Sequence, residues 1–200
     1  MFADDVLIFN KAHLPTLQLI QSTLEKFYQA TGLRVNPDKS HIVCGECNSQ
    51  LQQECLELTG YNEGCLPMRY LGVPITASKL RKLECHILVD KITGKMKQWS
   101  TRNLSFVGRA QLINTVVFSM YGFWASIFLL SQEVINRVNQ LCRNFLWGGS
   151  TDYKRPPSIS WDTVCTPKKY RGLGLKNLTA WNKACIAKLV WCVAMKKDML

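Results

Sequence analysis

The chain has 200 residues and is 47% hydrophobic, which is enough to bury at least one core and excludes wholesale disorder. Its formal net charge is +11. Residues 1–76 hold 5 Lys/Arg and 8 Asp/Glu (net −3), whereas residues 77–200 hold 20 Lys/Arg and 6 Asp/Glu (net +14). This asymmetry favours a polyanionic partner for the second part, although a solvated basic surface has the same composition.

Several features of the sequence favour an intracellular protein, either nuclear or cytoplasmic. We expect no secretory signal, because Asp4 and Asp5 stand where a signal peptide carries basic residues. The nine cysteines are odd in number, which favours a reducing compartment. The most apolar stretch, residues 116–130, is shorter than the roughly 20 residues that cross a bilayer. We therefore expect a buried helix there and no membrane partner, and no obligate protein partner is evident.

The first part of the chain mixes predicted strands and helices. A short apolar run at residues 6–9 predicts a strand that leaves a tight turn. Apolar residues at helical spacing predict a helix through residues 17–28 and a shorter one through 51–58, and each is followed by a glycine. Residues 40–44 predict a second strand, and residues 69–75, with a Gly and a Pro, predict an edge strand or a hairpin.

The second part is predicted to be mainly helical. In chain order, the expected features are a helix capped by Ser78, a helix capped by Ser105, a helix over 135–145 ended by Gly148-Gly149, a linker over 150–158, a short strand at 158–161, a basic loop at 168–174, and a helix over 179–196. A mixed unit followed by a helical one predicts the α+β class.

Asp4 and Asp5 form a pair of adjacent carboxylates in front of the predicted strand. Two ionised carboxylates against an apolar background repel each other and lose hydration, so a cation normally compensates them. Oxygen ligands suit Mg²⁺, and two such ions can clamp the attacking and leaving oxygens in phosphoryl transfer. The alternative interpretation is an acidic, solvent-exposed turn.

Phe2-Ala3-Asp4-Asp5, followed by the apolar run, resembles the aromatic-Ala-Asp-Asp catalytic hairpin of reverse transcriptases. Further segments resemble those of the reverse transcriptases of non-LTR (LINE-type) retrotransposons, with the closest similarity to plant elements. These are Gly32–Ser40, Tyr70–Ile75, Leu104–Arg109, Phe145–Gly148, and the stretch from Trp161 to Gly174. The resemblance covers nearly the whole chain.

The resemblance implies an α+β fragment of an RNA-directed DNA polymerase. Residues 1–76 would be a truncated palm with its catalytic β-hairpin, residues 77–149 a helical thumb, and residues 150–200 a linker, a basic loop and a C-terminal helix. The implied reaction is template-directed nucleotidyl transfer with Mg²⁺, and the implied partners are an RNA template and a DNA primer duplex.

The resemblance also assigns roles to individual residues. Asp4 would be a metal ligand, and Asp5 would assist near the metal. Lys39 would stabilise the leaving pyrophosphate, since an ammonium group can stabilise developing negative charge. Tyr70 and Gly72 would belong to the primer grip. The alternatives are a solvated turn lysine for Lys39 and ordinary hairpin packing for Tyr70 and Gly72.

The chain departs from the family pattern in two places. The metal site of such a polymerase needs another Asp upstream of the hairpin, and this chain starts at the hairpin itself. We therefore expect no polymerase activity from this chain alone, with Mg²⁺ not held productively. The second departure is Arg171, where the family usually carries a glycine.

The basic second part suggests binding without catalysis. Lys and Arg side chains there can neutralise phosphates, although a solvated face is the alternative. The candidate nucleic-acid-binding residues in this part are Lys79, Arg81, Lys82, Lys91, Lys95, Lys97, Arg102, Arg109, Lys168, Lys169 and Arg171. A non-catalytic nucleic-acid-binding remnant and an inert fragment are therefore the rival hypotheses to the polymerase. A zinc site at Cys44-x-x-Cys47 is a weaker alternative, because no second pair matches it.

Overall fold

The computed structural model describes residues 5–45, 47–78, 80–152 and 159–195, with only the backbone of Lys82. These residues form a mixed, mostly helical structure with a few short strands, which confirms the predicted α+β class. The chain divides into two compact units, Met1–Ala77 and Ser78–Leu200.

The first unit contains two helices and two small sheets. Its elements are α1 (Leu14–Thr31), β1 (His41–Ile42), α2 (Ser49–Thr59), β2 (Asn62–Glu63), β3 (Met68–Tyr70) and β4 (Val73–Ile75). Strand β1 pairs with β2 in parallel, and β3 pairs with β4 in an antiparallel hairpin. The predicted helices, the strand after residue 40 and the hairpin are thus confirmed.

Both helices of this unit end at the glycine that the sequence places there. Gly32 follows α1 with φ 74°, and Gly60 follows α2 with φ 67°. A glycine adopts this left-handed conformation without the Cβ penalty, and its N–H then bonds to a carbonyl of the last turn. Asn48 caps the start of α2, because its side chain accepts a hydrogen bond from the N–H of Gln50 at 3.3 Å.

The strand predicted at residues 6–9 is wrong. These residues form neither helix nor strand, and Phe9 is 83% exposed. A strand is stable only when neighbouring chain pairs with its backbone, and no strand of the described residues pairs with this run. Asp5 lies in an isolated β-bridge, and the other strand of the expected catalytic β-hairpin, at residues 1–3, lies outside the described residues.

The second unit is helical. Its elements are α3 (Lys82–Ser100), α4 (Phe106–Leu112), α5 (Phe118–Ala125), α6 (Gln132–Gly148), α7 (Trp161–Cys165) and α8 (Leu178–Ala194), with a π-helical turn at Ile113–Val117 and a 3-10 turn at Lys168–Tyr170. Ser105 caps α4 as predicted, since its hydroxyl accepts a hydrogen bond from the N–H of Gly108 at 3.1 Å.

Two predictions about helix starts in this unit are wrong. Helix α3 begins at Lys82 and is not capped by Ser78, because the Glu84 carboxylate accepts a hydrogen bond from the Arg81 backbone N–H at 2.6 Å. Trp161 opens α7 and does not end a strand. Ser160 provides that helix cap, with its hydroxyl accepting a hydrogen bond from the N–H of Thr163 at 3.2 Å.

The core of this unit forms around α6, which buries one continuous stripe. The buried side chains on α6 are Val134, Ile135, Val138, Leu141, Cys142, Phe145 and Leu146. The apolar stretch over 116–130 contributes α5, whose Phe118, Tyr121 and Trp124 are buried as predicted. No helix among the described residues is long and apolar enough to span a membrane.

A buried asparagine fixes α8 to the end of α5. Asn182 is 1% exposed. Its side-chain NH₂ donates to the carbonyls of Ala125 at 2.9 Å and Phe128 at 2.8 Å, and its Oδ1 accepts from the N–H of Leu130 at 2.9 Å. Helix α8 is therefore held in place by polar contacts as well as by apolar packing.

Candidate nucleic-acid interface

The acidic pair is only partly described. Asp4 lies outside the described residues, and Asp5 is exposed. Among residues 5–45, 47–78, 80–152 and 159–195, no three or more His, Cys, Asp or Glu side chains lie close enough to hold a metal ion. Because Mg²⁺ is commonly held by only one or two carboxylates together with waters and phosphates, Mg²⁺ binding at Asp4 and Asp5 stays a prediction, and we derive no step through a metal.

Cys44, the first member of the predicted zinc pair, is half-buried in front of α2. Burial, followed by the hydrogen bond to Cys47, raises the pKa of Cys44 to about 11. The thiolate is the form that binds metal, so a raised pKa disfavours zinc binding at this pair.

The other candidates of the first unit lie on turns. Lys39 is exposed at the end of the 3-10 turn Pro37–Lys39. Tyr70 is half-buried at the end of β3. Leu71 and Gly72 join β3 to β4 with φ values of 51° and 82°, the pattern of a type I′ turn. Hairpin geometry alone therefore accounts for Gly72, and the nucleic-acid contacts of Tyr70 and Gly72 stay predictions.

The lysines of α3 are exposed but do not share one face. Lys91 and Lys95 are four residues apart, which places them side by side on the helix, whereas Lys97 lies on the opposite flank. All three are exposed. Lys79 lies outside the described residues, and of Lys82 only the backbone is described.

Three arginines near α3 and α4 differ in how free they are to bind a phosphate. Arg81 donates from Nε to the Glu84 carboxylate at 3.3 Å. Arg102 is exposed just after α3. Arg109 is half-buried, and its Nη1 lies 2.8 Å from where a Cβ on Gly149 would stand, at the end of α6. A cation is favourable at a helix C-terminus, so Arg109 has a structural role there.

The basic loop, residues 168–174, carries the densest exposed positive charge among the described residues. Lys168, Lys169 and Arg171 are all exposed, and Tyr170 between them is 66% exposed. The Lys169 ammonium lies 4.8 Å from the centre of the Tyr170 ring. Three cations and one aromatic face are thus presented together.

This loop is held by its own backbone. The N–H of Tyr170 donates to the carbonyl of Pro167 at 2.8 Å, and the N–H of Leu173 donates to the carbonyl of Val164 at 3.0 Å. The N–H of Gly174 donates to the carbonyl of Thr166 at 3.0 Å. The loop is therefore anchored to the end of α7.

Arg171 adopts the conformation that a glycine would adopt at this position. Its φ is 65°, in the left-handed region, so the loop closes despite the departure from the family pattern. The following Gly172 is packed tightly, since a Cβ there would lie 2.0 Å from the carbonyl oxygen of Thr166. The side chain of Arg171 is thus held outward at some conformational cost.

Replacing Arg171 with glycine separates the conformational cost of the left-handed backbone from the function of the arginine side chain. We expect Arg171→Gly to raise the free energy of unfolding by about 0.5 kcal/mol, because relief of the left-handed strain exceeds the added entropy of the unfolded chain. Chemical denaturation measures this change. A loss of more than about 1 kcal/mol would show instead that the arginine side chain holds the loop together.

Tyr170 is not among the residues that the sequence predicts to bind nucleic acid. Alternation of lysines with an aromatic residue in Lys168-Lys169-Tyr170-Arg171 is the signal that could have identified it, since bases stack on aromatic side chains. Similarly, Lys176 lies 4.0 Å from the centre of the Trp181 ring.

Comparison with known proteins gives one informative similarity. No protein-family model matches the chain. A stretch of 128 residues is 34% identical to an Arabidopsis thaliana protein named "Putative ribonuclease H protein". The stretch covers 64% of this chain but 21% of that protein, so the chain spans about a fifth of the length of the curated relative that it matches.

This similarity corrects the family assignment made from the motifs. The matching protein is named as a ribonuclease and not as a reverse transcriptase, so the assignment to the non-LTR reverse transcriptases is wrong. One of the motifs behind the assignment also lacks its expected setting, because the run after Asp5 is not a strand. Motifs of a few residues match in sequence without requiring the same surroundings.

Proposed function

We propose that the second unit binds nucleic acid, chiefly through phosphate contacts made by the basic loop. The observation that carries this proposal is the exposed Lys168-Lys169-Tyr170-Arg171 sequence on an anchored loop. The unit also has a formal net charge of +14 over residues 78–200. Cations held in place lose little entropy when they bind, so a rigid loop binds phosphates better than a mobile tail.

The chemistry of the loop suits a sequence-tolerant contact. Lysine and arginine release condensed counterions when they neutralise phosphates, which makes affinity depend on salt and not on base sequence. Tyr170 offers a ring on which an unpaired base can stack. Lys91, Lys95 and Arg102 would extend the contact, whereas Arg81 is paired with Glu84 and Arg109 is half-buried against the end of α6.

The similar Arabidopsis protein supports this class of partner. That protein is named as a ribonuclease H protein, and a segment that binds nucleic acid is compatible with this name. We propose binding and not cleavage for this chain, because the similarity covers only a fifth of that protein. All nine cysteines are free, and we place the protein in a reducing intracellular compartment.

Removing two lysines from the loop tests the proposal. We expect Lys168→Ala with Lys169→Ala to reduce the slope of log K against log salt by about 2, since each phosphate contact contributes about 1. The weakening should be similar for every base sequence. Fluorescence anisotropy with a labelled oligonucleotide, measured over a salt series, gives the slope.

The matched control removes the same number of positive charges from another part of the second unit. Lys183 and Lys188 are exposed on α8. Lys183→Ala with Lys188→Ala should leave the slope within about 0.5 of the unmodified chain. Equal losses from the two double variants would show that net charge, and not the loop, attracts the ligand. Absence of salt-dependent binding in the unmodified chain would refute the proposed function.

A further inference from the structure

A polar cleft of about 890 Å³ lies in the second unit between α6, α7 and the start of α8. Its volume is in the range of small-molecule binding sites, typically about 300–1,000 Å³. None of the loop cations that carry the proposed function lines it. The cleft is therefore a separate feature of the same unit.

One wall of the cleft is a stripe of amides along α6. Gln132, Asn136, Asn139 and Gln140 all line it, at the spacing that places side chains on one face of a helix. The side-chain NH₂ of Gln132 donates to Oδ1 of Asn136 at 2.9 Å, which holds these two side chains together. The oxygens of Asn136, Asn139 and Gln140 already accept one hydrogen bond each, that of Gln140 from Nη1 of Arg137 at 2.9 Å. Each oxygen keeps a second lone pair, and the remaining N–H groups of the stripe can donate, so the stripe can match a ligand edge that carries both kinds of group.

The opposite side contributes an aromatic wall. Trp161 is 6% exposed, and its Nε1 donates to Oδ1 of Asn139 at 3.0 Å. Cys165 lines the cleft with a neutral thiol, because burial raises its pKa to about 11. Arg143 also lines the cleft next to the amides, with its Nε buried.

The formal charges around the cleft cancel. Arg137 and Arg143 line it together with Glu133 and Asp162. A balanced cleft favours a neutral group rich in hydrogen-bonding atoms over a phosphate, which needs excess positive charge. A nucleobase is such a group, and asparagine and glutamine are the side chains that pair with the edge of adenine.

The chain connects this cleft directly to the basic loop. Cys165 lines the cleft, and Lys168 of the loop follows three residues later. We propose that the cleft receives an unpaired base of single-stranded nucleic acid whose phosphates lie on the basic loop. This inference rests on the proposed function and adds recognition of the base to it. Single strands present such splayed bases, whereas a duplex does not.

Two matched single strands test the inference. One is a labelled adenine oligonucleotide, and the other has the same length and phosphates but abasic sugars, so only the bases differ. We expect the base-bearing strand to bind about tenfold more tightly, which corresponds to about 1.4 kcal/mol. Asn136→Leu with Gln140→Leu should reduce that ratio to the part that stacking on Tyr170 supplies, without changing the salt slope. Both side chains are exposed on α6, where leucine favours the helix.

A second double variant controls for the added apolar surface. Gln98 and Gln111 are exposed on α3 and α4. Gln98→Leu with Gln111→Leu should keep the tenfold preference for the base-bearing strand. Equal binding of the two strands by the unmodified chain, with a normal salt slope, would overturn the base pocket and leave the proposed function intact. A preference that Asn136→Leu with Gln140→Leu leaves at its full size would also overturn the pocket.

Discussion

Replacing Asn182 with leucine should lower the free energy of unfolding by about 3–5 kcal/mol. The substitution leaves three backbone groups without their partner, namely the buried Ala125 carbonyl and Leu130 N–H and the part-buried Phe128 carbonyl. Each unsatisfied buried group costs about 1–3 kcal/mol, and the extra apolar contact of leucine offsets only part of the sum. Chemical denaturation, followed by the fluorescence of the buried Trp124 and Trp161, measures the change.

The control for this prediction is an asparagine without such bonds. Asn114 is exposed. Asn114→Leu should leave the free energy of unfolding within about 0.5 kcal/mol of the unmodified chain. If Asn182→Leu were also within about 1 kcal/mol, the three hydrogen bonds would not be what holds α8 to the end of α5.

The second large effect is expected at Gly172. A Cβ there would lie 2.0 Å from the carbonyl oxygen and 2.2 Å from the hydroxyl oxygen of Thr166, so the loop backbone must move to accept it. We expect Gly172→Ala to cost about 2–3 kcal/mol of unfolding free energy, as overpacking commonly does. Displacing the basic loop should also reduce the salt slope of nucleic-acid binding by about 2.

A glycine-to-alanine substitution in α3 should instead raise the free energy of unfolding. Gly94 is an exposed helical residue, and nothing lies within 4 Å of a Cβ built there. Gly94→Ala should stabilise the protein by about 0.5–1 kcal/mol, because alanine loses less backbone entropy in a helix. If Gly172→Ala were as stable as the unmodified chain, the loop would be free to rearrange and would not be the rigid platform described above.

Structural elements that depend only on residues close together in the sequence can be predicted from the amino-acid pattern. Helix α6 follows from apolar residues at helical spacing and ends at Gly149, which adopts φ 70°. Ser105 caps α4 for the same local reason. These features involve residues within about one turn of each other, so no knowledge of the distant chain is needed.

Prediction fails where a segment depends on a distant neighbour. The run over 6–9 has the composition of a strand, but a strand exists only if another segment pairs with it. Arg171 shows the converse case. Its residue type disfavours φ 65°, yet backbone bonds between the loop and α7 hold it there. The family assignment failed for a related reason, because short motifs do not specify their surroundings.

Charge, helix positions and the exposed basic loop can therefore be derived from residue types and their spacing, because they depend on neighbours along the chain. The mutual placement of the α6 amides and Trp161, and the anchoring of α8 by Asn182, came from packing between segments tens of residues apart. Burial of apolar surface brings such segments together during folding. The hydrophobic effect is non-directional, so the local sequence does not specify which segments will pack against each other. The cleft is accordingly a property of the assembled helices rather than of any single one.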